Sequence, residues 1–288
     1  MTEGNNVFMQ FLQTIEETAK NSININEGDY QKDGLWYCGK CDTPKQCRIT
    51  LFGSVRTPMC ICKCEIERKE AEEKARREAE ARERLNKRIA ENRKAGFPES
   101  DMLTWTFEND DKQNVKVTNA MLRYVEIFDD MKSKGKGLLL YGSVGTGKTF
   151  AACEVANALI DKGYTALVTS FARLTNTIQG MYDGKQEYID GLNDFDLLVI
   201  DDLGAERKSE YMQEMVYNII DSRYRSGLPM IITTNLTIDE ITKPDSIGNS
   251  RIYDRILERC FPIFVDGNSR RRKAVRADFE EIKELLGL

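Results

Sequence analysis

Histidine is absent from all 288 residues of the sequence. Without imidazole, the chain cannot build a Ser-His-Asp or Cys-His catalytic arrangement or a histidine-ligated metal site. Long apolar runs are also missing, since a representative one, Leu197–Ile200, has four residues, far below the ~18 needed to cross a bilayer. Residues 1–6 show no basic region leading into an apolar core, so we expect a cytoplasmic protein with no membrane partner.

The charge balance is nearly even, with 42 basic and 47 acidic residues and a formal net charge of −5. A nucleic-acid partner would therefore be held by local basic patches, because the protein as a whole is not cationic. The length and the 41% hydrophobic content allow one large domain with a real core and a second, small one. The eight cysteines of a cytoplasmic protein are more typical of metal ligands or buried thiols than of disulfides.

Three segments of different character divide the chain. Residues 1–64 carry an apolar stripe over Val7–Ile15 at helical spacing, followed by six of the cysteines. Residues 65–94 are highly charged, lack glycine and proline, and repeat alanine at i+4, which predicts one long solvated helix that acts as a linker. A partner-binding coiled coil is the weaker alternative, because large a and d residues are missing over most of the segment. Residues 95–288 alternate short apolar runs with helical segments, which predicts an α/β domain whose parallel sheet is covered on both faces. The predicted strands are Gly137–Tyr141, Thr165–Thr169, Asp196–Ile200, Pro229–Thr234 and Ile263–Val265.

The segment Gly142–Thr149 carries the most specific motif, G-x-x-x-x-G-K-[ST], between a predicted strand and a predicted helix. Its glycines let backbone N–H groups converge on phosphate oxygens at a helix N-terminus. Lys148 would neutralise the β- and γ-phosphates, and the Thr149 hydroxyl would ligate Mg²⁺. The predicted nucleotide-binding residues are Gly142, Ser143, Val144, Gly145, Thr146, Gly147, Lys148, Thr149 and Phe150.

Polar residues follow two of the predicted strands. Asp201 and Asp202 end one apolar run, which would place their carboxylates beside the phosphate loop at the carboxyl edge of the sheet. Asp201 would hold Mg²⁺, and Asp202 would orient or deprotonate the attacking water. Asn235 follows another strand, where its amide can reach the γ-phosphate and the water; alternatively, it only caps the strand or the next helix.

Five segments succeed one another along the second half of the chain: Gly142–Thr149, Asp201–Glu206, Thr233–Asn235, Asp254–Arg255 and Gly267–Arg271. Their order, over roughly residues 97–272, resembles the DnaC/DnaI/IstB group of AAA+ ATPases. The resemblance implies a P-loop NTPase core with a five-stranded parallel sheet and a reduced lid. It also implies ATP bound between self-associating subunits and a sensor 1 role for Asn235.

The same resemblance implies an arginine-finger role for Arg255 and a sensor 2 role for Arg271. Arg251, Arg255 and Arg259 recur at i, i+4 and i+8, so that one helix face could reach a neighbouring subunit's phosphate; the alternative is a salt-bridged surface helix. The run Arg270–Lys273 leaves the sensor 2 position ambiguous by one residue.

One residue departs from the family pattern. AAA+ proteins usually carry glutamate where this chain has Asp202, which leaves open a slow hydrolysis or a contribution from Glu206. The resemblance implies an ATP-hydrolysing loader that places a DnaB-type hexameric replicative helicase on single-stranded DNA. The alternatives are an IstB-like ATPase that assists a transposase in target selection, and an adaptor that binds ATP without hydrolysing it.

The cysteines between 38 and 64 are spaced as metal ligands. Four thiolates in a tetrahedral zinc site can fold a module that has little core of its own. We favour the four ligands Cys38, Cys41, Cys62 and Cys64. Cys60 is the nearest substitute and Cys47 is left over; an iron–sulfur cluster and free thiols are the alternatives. Cys153 and Cys260 lie in apolar patterns and are expected to be core residues.

A DNA contact is expected in the segment 171–194, which follows the second predicted strand. Arg173, Tyr182 and Lys185 supply charge and a base-stacking ring there, although Tyr182 could instead pack between helices. We expect the N-terminal module to bind the helicase, with Val7–Ile15 as a helix-in-groove ligand or as a segment packed on the cysteine module.

Overall fold

The computed structural model describes residues 25–51, 53–204, 209–244 and 246–270, together with 279, 282, 283, 285 and 286. The apolar stripe Val7–Ile15, Glu206 and Arg271 lie outside the described residues. The chain divides into two compact units, residues 1–84 and 85–288. No helix within the described ranges is both long and apolar enough to cross a membrane.

Unit 1, residues 1–84, contains two short antiparallel hairpins. Strand β1 (Tyr30–Lys32) pairs with β2 (Leu35–Tyr37), and β3 (Ile49–Leu51) pairs with β4 (Ser54–Arg56). Burial is sparse: among the described residues of this unit, only Cys38, Lys45 and Cys62 are buried. Unit 1 therefore has almost no apolar core to hold these hairpins.

Helix α1 (Lys63–Gly96) confirms the predicted long charged helix. Its surface carries ion pairs one turn apart, such as Arg68 with Glu72 at 2.6 Å and Arg77 with Glu73 at 2.5 Å. Unit 2 begins at residue 85, ten residues before the predicted start of the ATPase domain. The end of α1 belongs to unit 2 because its side chains contact the rest of that unit, as the Asn92 amide does by donating to the Tyr164 carbonyl at 3.1 Å.

Unit 2 is built on a five-stranded parallel sheet, as the family resemblance implies. Its strands are β5 (Gly137–Tyr141), β6 (Ala166–Ser170), β7 (Leu197–Leu203), β8 (Met230–Thr234) and β9 (Cys260–Phe264). They lie in the order β6-β7-β8-β5-β9. Strands β6, β7 and β8 follow one another in the chain and in the sheet, whereas β5 lies between β8 and β9.

Helices cover both faces of this sheet, because successive strand residues point to opposite sides. The helices are α2 (Val115–Glu126), α3 (Phe128–Lys134), α4 (Lys148–Asp161), α5 (Phe171–Gly180), α6 (Lys185–Gly191), α7 (Glu210–Ser226), α8 (Ile238–Thr242) and α9 (Ile247–Arg259). Leu139 packs into the cluster formed with α5, α7 and α9, whereas Leu138 and Leu140 pack into the cluster formed with α2 and α4. A 3-10 turn over Ser100–Thr104 precedes α2 in the chain.

Candidate nucleotide site and thiolate metal centre

The phosphate loop lies between β5 and α4, at the carboxyl edge of the sheet. Two of its glycines are required by geometry. Gly142 has φ 149°, and a Cβ there would lie 2.4 Å from the Val265 carbonyl oxygen. Gly147 has φ 95° and immediately precedes α4, so the loop delivers its backbone N–H groups to a helix N-terminus, where anions bind well.

Lys148 is nearly buried, at 5% exposure, although it carries a charge. Its ammonium donates to the carbonyl oxygens of Gly142 at 3.0 Å and Ser143 at 2.7 Å, and to the Asn235 Oδ1 at 2.8 Å. The sensor 1 candidate and the phosphate-loop lysine therefore meet directly. A triphosphate at this place would offer the ammonium stronger, charged acceptors.

Asp201 meets the Thr149 hydroxyl, which donates to its Oδ1 at 2.9 Å. The Thr233 hydroxyl also donates to this carboxylate. Burial raises the pKa of Asp201 above its ordinary value, and the neighbouring Asp202 adds to the rise, while the hydrogen bonds from Thr233 and Thr149 oppose it. A hydroxyl and a half-buried carboxylate in contact are an oxygen donor pair that suits Mg²⁺.

Asp202 is exposed and adopts φ 57°, a left-handed conformation that is unusual for a residue with a side chain. Its backbone N–H donates to the Thr233 hydroxyl at 3.0 Å. This turn of the backbone separates the two carboxylates: Asp201 faces Thr149, and Asp202 lines a cavity of about 390 Å³ beside the phosphate loop. The cavity is also lined by Trp105, Lys148, Phe150, Asn235 and Arg270.

Arg270 and Trp105 are site residues that the sequence motifs do not single out. The Arg270 backbone N–H donates to the Gly145 carbonyl at 2.9 Å, and its guanidinium pairs with Asp111 at 3.1 Å and Asp110 at 3.6 Å. Arg271, to which the family pattern assigns the sensor 2 role, is outside the described residues, whereas the preceding Arg270 lies against the phosphate loop. The run of four basic residues Arg270–Lys273 marks this place in the sequence, but the run alone does not show which of the four side chains enters the site.

Arg255, in α9, lies against α7 of the same chain. Its Nε donates to the Asp221 carboxylate at 2.8 Å, and its Nη2 donates to the Tyr217 hydroxyl at 2.8 Å. The guanidinium also stacks over the Tyr217 ring, 4.7 Å from the centroid. Arg251, one turn earlier, is exposed. The assignment of Arg255 as an arginine finger stays a prediction.

The candidate DNA residues lie on or between α5 and α6. Arg173 is exposed in α5, and Tyr182 is 97% exposed in the turn that joins the helices, so it does not pack between them. Lys185 begins α6, and its ammonium donates to the Tyr211 hydroxyl at 3.2 Å. The DNA contact itself stays a prediction.

Cys38, Cys41, Cys62 and Cys64 come together in unit 1, with all four sulfur atoms within 4.8 Å of one another. Four soft donors at this spacing fit a tetrahedral zinc ion. Each pair of cysteines forms a knuckle, the first with Cys38 and Cys41 and the second with Cys62 and Cys64. The first knuckle is formed by a tight turn after β2. The second lies where α1 begins, and the Cys62 carbonyl accepts from the Ile66 N–H there at 3.0 Å. The identity of the metal stays a prediction.

The protonation of these thiols is consistent with a cation-binding centre. The Thr43 hydroxyl lowers the pKa of Cys41 to about 6, whereas the neighbouring Cys62, Cys41 and Cys38 sulfurs raise the pKa of Cys64 to about 12. Thiolates that crowd together repel one another, so the last proton is held unless a cation replaces it.

The fold and the phosphate-loop site together define an AAA+ type P-loop nucleotide-binding protein. Within this class, the chain belongs to the IstB-like ATP binding protein family, whose model matches residues 66–277.

Two relatives and a solved structure support this placement. The replicative helicase loader DnaI of Bacillus subtilis (strain 168) is 28% identical over 197 residues, which are 62% of this chain and 62% of DnaI. The replicative helicase loader DnaC of Escherichia coli (strain K12) is 28% identical over 138 residues, 46% of this chain and 54% of DnaC. A crystal structure of DnaI superimposes with a TM-score of 0.50 at 25% identity, covering 59% of this chain and 96% of that one. The chain thus spans less than two thirds of the length of these curated relatives.

Proposed function

We propose that this protein is an ATP-hydrolysing loader that places a replicative helicase on single-stranded DNA. One observation carries the proposal: Lys148 contacts Asn235, and Thr149 contacts Asp201, at the same edge of the sheet. This arrangement supports ATP binding, and the relatives, which are named replicative helicase loaders, support the loading function. The 28% identity supports the general function, and the particular helicase is left to experiment.

In this proposal, Lys148 exchanges the loop carbonyls and Asn235 for the β- and γ-phosphates of ATP. Thr149 and Asp201 would hold a magnesium ion, which would offset phosphate charge. Asp202 faces the same cavity and orients or deprotonates the attacking water. Asn235, released from Lys148, contacts the γ-phosphate and the water, so that it senses whether the phosphate is present.

Self-association would complete the site. Arg255 of one copy would reach the ATP of its neighbour, at the expense of its contacts with Asp221 and Tyr217, and Arg271 would contact the ATP of its own subunit. Arg173, Tyr182 and Lys185 would hold the single strand by charge and by stacking. Residues 1–64, with zinc at the four cysteines, would bind the helicase, and residues 65–94 would link this module to the ATPase domain 95–288.

The first test is ATP binding and turnover by Lys148→Ala. Loss of charged hydrogen bonds to phosphate should weaken ATP binding about a hundredfold, or about 3 kcal/mol. The exposed Lys134→Ala is the matched control and should bind like the wild type. Unchanged ATP affinity in Lys148→Ala would remove the phosphate-loop assignment.

The second test concerns turnover and Arg255. Arg255→Ala should bind ATP but hydrolyse it slowly, and mixing it with Lys148→Ala should restore turnover if one subunit supplies the arginine to the other. No restoration, with both variants folded, would contradict a role in trans. Wild-type protein that binds ATP but never turns it over, even with helicase and single-stranded DNA present, would indicate the non-hydrolysing adaptor.

A second candidate function is supported by the family itself, which is described as IstB-like. In that case the ATPase would assist a transposase in target selection and would bind duplex DNA. A pull-down from the native host separates the candidates, since a loader should retain a hexameric helicase and a helper should retain a transposase. Preferential binding to single-stranded over duplex DNA, weakened by Tyr182→Ala and by added salt, would favour the loader.

A further inference from the structure

A charged pair is buried beside the four cysteines of unit 1. The Lys45 ammonium lies 2.6 Å from the Asp29 carboxylate, and the two side chains are only 9% and 2% exposed. Lys45 is one of just three buried residues among those described in this unit, and the other two are cysteines of the cluster. An ion pair is costly to bury, so its presence in a module almost without a core calls for an explanation.

Asp29 holds the first cysteine knuckle in place. Its Oδ1 accepts a hydrogen bond from the Gly39 N–H at 3.1 Å, and its Oδ2 accepts one from Asn26 at 2.8 Å. Gly39 lies between Cys38 and Cys41, and a Cβ at this position would lie 2.0 Å from the Gly28 carbonyl oxygen. The Asp29 carboxylate therefore fixes the backbone between Cys38 and Cys41, which packs closely against the backbone at Gly28.

Lys45 connects the two halves of the cluster through its backbone. Its N–H donates to the Trp36 carbonyl at 2.7 Å, and its carbonyl accepts from the Cys60 N–H at 2.7 Å. Trp36 lies two residues before Cys38, and Cys60 lies two residues before Cys62. The residue that carries the buried ammonium is thus fixed to the segments that lead into both pairs of cysteines.

Charge gives the ammonium a second role. Four thiolates around a divalent ion carry an excess of two negative charges. Burial opposes the charged form of Lys45, but the Asp29 carboxylate and the Cys62 and Cys38 thiolates favour it and raise the pKa of the ammonium above its ordinary value. The positive charge of Lys45 in turn offsets part of the excess negative charge, and burial strengthens this attraction because little water screens it.

We infer that Lys45 and Asp29 are positioning residues for the metal centre: their ion pair aligns the two cysteine pairs, and the ammonium stabilises the bound metal–tetrathiolate. The inference depends on the proposed zinc site. It adds two residues outside the cysteine pattern on which metal retention depends, as residues behind the ligands generally tune metal affinity.

The test uses full-length protein and measures zinc per chain by elemental analysis, then the rate of zinc release to an excess of a chromogenic chelator. Lys45→Met keeps the length of the side chain and removes its charge, and it should release zinc about ten- to a hundredfold faster than the wild type. Asp29→Asn should also release zinc faster. Lys40→Met is the matched control, because Lys40 is an exposed lysine inside the same knuckle, and its release rate should stay within about twofold.

The outcomes separate this inference from the zinc proposal. Wild-type protein without zinc, after purification under reducing conditions, would refute the zinc site itself. Wild-type protein with one zinc, and Lys45→Met and Asp29→Asn releasing it at the wild-type rate, would refute only the role of the pair. A cobalt-substituted Lys45→Met chain that keeps a four-sulfur tetrahedral spectrum but loses cobalt quickly would support it. Lys45→Met or Asp29→Asn protein that binds ATP yet contains no metal would also support the role of the pair.

Discussion

The two units of this protein are stabilised in different ways. Unit 2 buries apolar side chains on both faces of a five-stranded sheet, which is the usual source of folding stability. Unit 1 buries two cysteines and a lysine among its described residues. The comparison teaches that unit 2 should persist without ligands, whereas the cysteine module of unit 1 should depend on the proposed metal.

The largest effect is expected from loss of the proposed metal in unit 1. In Cys38→Ser, residues 25–62 should lose their protection from amide hydrogen exchange, since in the proposed site four-thiolate coordination replaces a hydrophobic core. The strands of unit 2 should exchange as slowly as before. Hydrogen exchange read by mass spectrometry checks both units in one sample.

Cys47→Ser is the control for this variant, because Cys47 is an exposed cysteine of the same unit and is not among the four clustered sulfurs. It should retain the metal and the protection. Full protection of residues 25–62 in a metal-free Cys38→Ser chain would show that the comparison between the units is wrong.

The next effect concerns the core of unit 2. Leu139 is fully buried in the middle of β5, so Leu139→Ala should lower the free energy of unfolding of this unit by about 2–5 kcal/mol. Ile61→Ala, at a side chain 51% exposed in unit 1, should change stability by no more than about 0.5 kcal/mol. Urea denaturation measures the free energy of unfolding of both variants. Equal decreases in the two variants would contradict the difference proposed between the two units.

How much of each unit could be predicted from sequence follows from the same difference. Buried parallel strands appear as apolar runs, so β5 is predicted over its full observed length, Gly137–Tyr141. Strand β7 was predicted to end at Ile200, but it continues to Leu203, because a register shift accommodates the two aspartates. The sequence predicts strand β9 from Ile263, but the strand starts at Cys260. Pro262 interrupts the apolar run, and a proline is tolerated there because β9 is an edge strand.

The candidate sites show the same limit. Motif spacing locates the phosphate loop and favours the four cysteines that the structure brings together, because those residues are close in sequence within each half. Contacts between distant segments leave no such pattern. Asp221 lies 34 residues before Arg255, and Asp29 lies 16 residues before Lys45, so neither partnership could be predicted.

A smaller effect should appear with pH in unit 2. Glu154 is 2% exposed, and burial, reinforced by Asp110, raises the pKa of its carboxyl to about 8. A carboxyl with a raised pKa holds its proton in the folded state and loses it in the unfolded chain above pH ~4.3. Stability should therefore fall as the pH rises from there to about 8.

Glu154→Gln should remove this loss, because the amide has no proton to give up, and should stabilise unit 2 at pH 8 by about 1–3 kcal/mol. Glu108→Gln, at an exposed position, is the control and should leave the pH profile of the wild type. The measurement is urea denaturation at pH 5, 6.5 and 8. A Glu154→Gln profile with the wild-type slope would assign the pH dependence to other groups.

The smallest expected effect comes from the charged surface of α1 in unit 1. Arg68 lies between Glu65 at 2.7 Å and Glu72 at 2.6 Å, yet its side chain is 55% exposed, and exposed pairs of this kind contribute little. Arg68→Ala should leave the zinc content and the hydrogen-exchange protection of residues 25–62 unchanged within error. Raising the salt concentration, which screens surface pairs, should likewise leave them unchanged. If either treatment exposes the module while zinc is still bound, surface charges and not the thiolate centre hold unit 1 together.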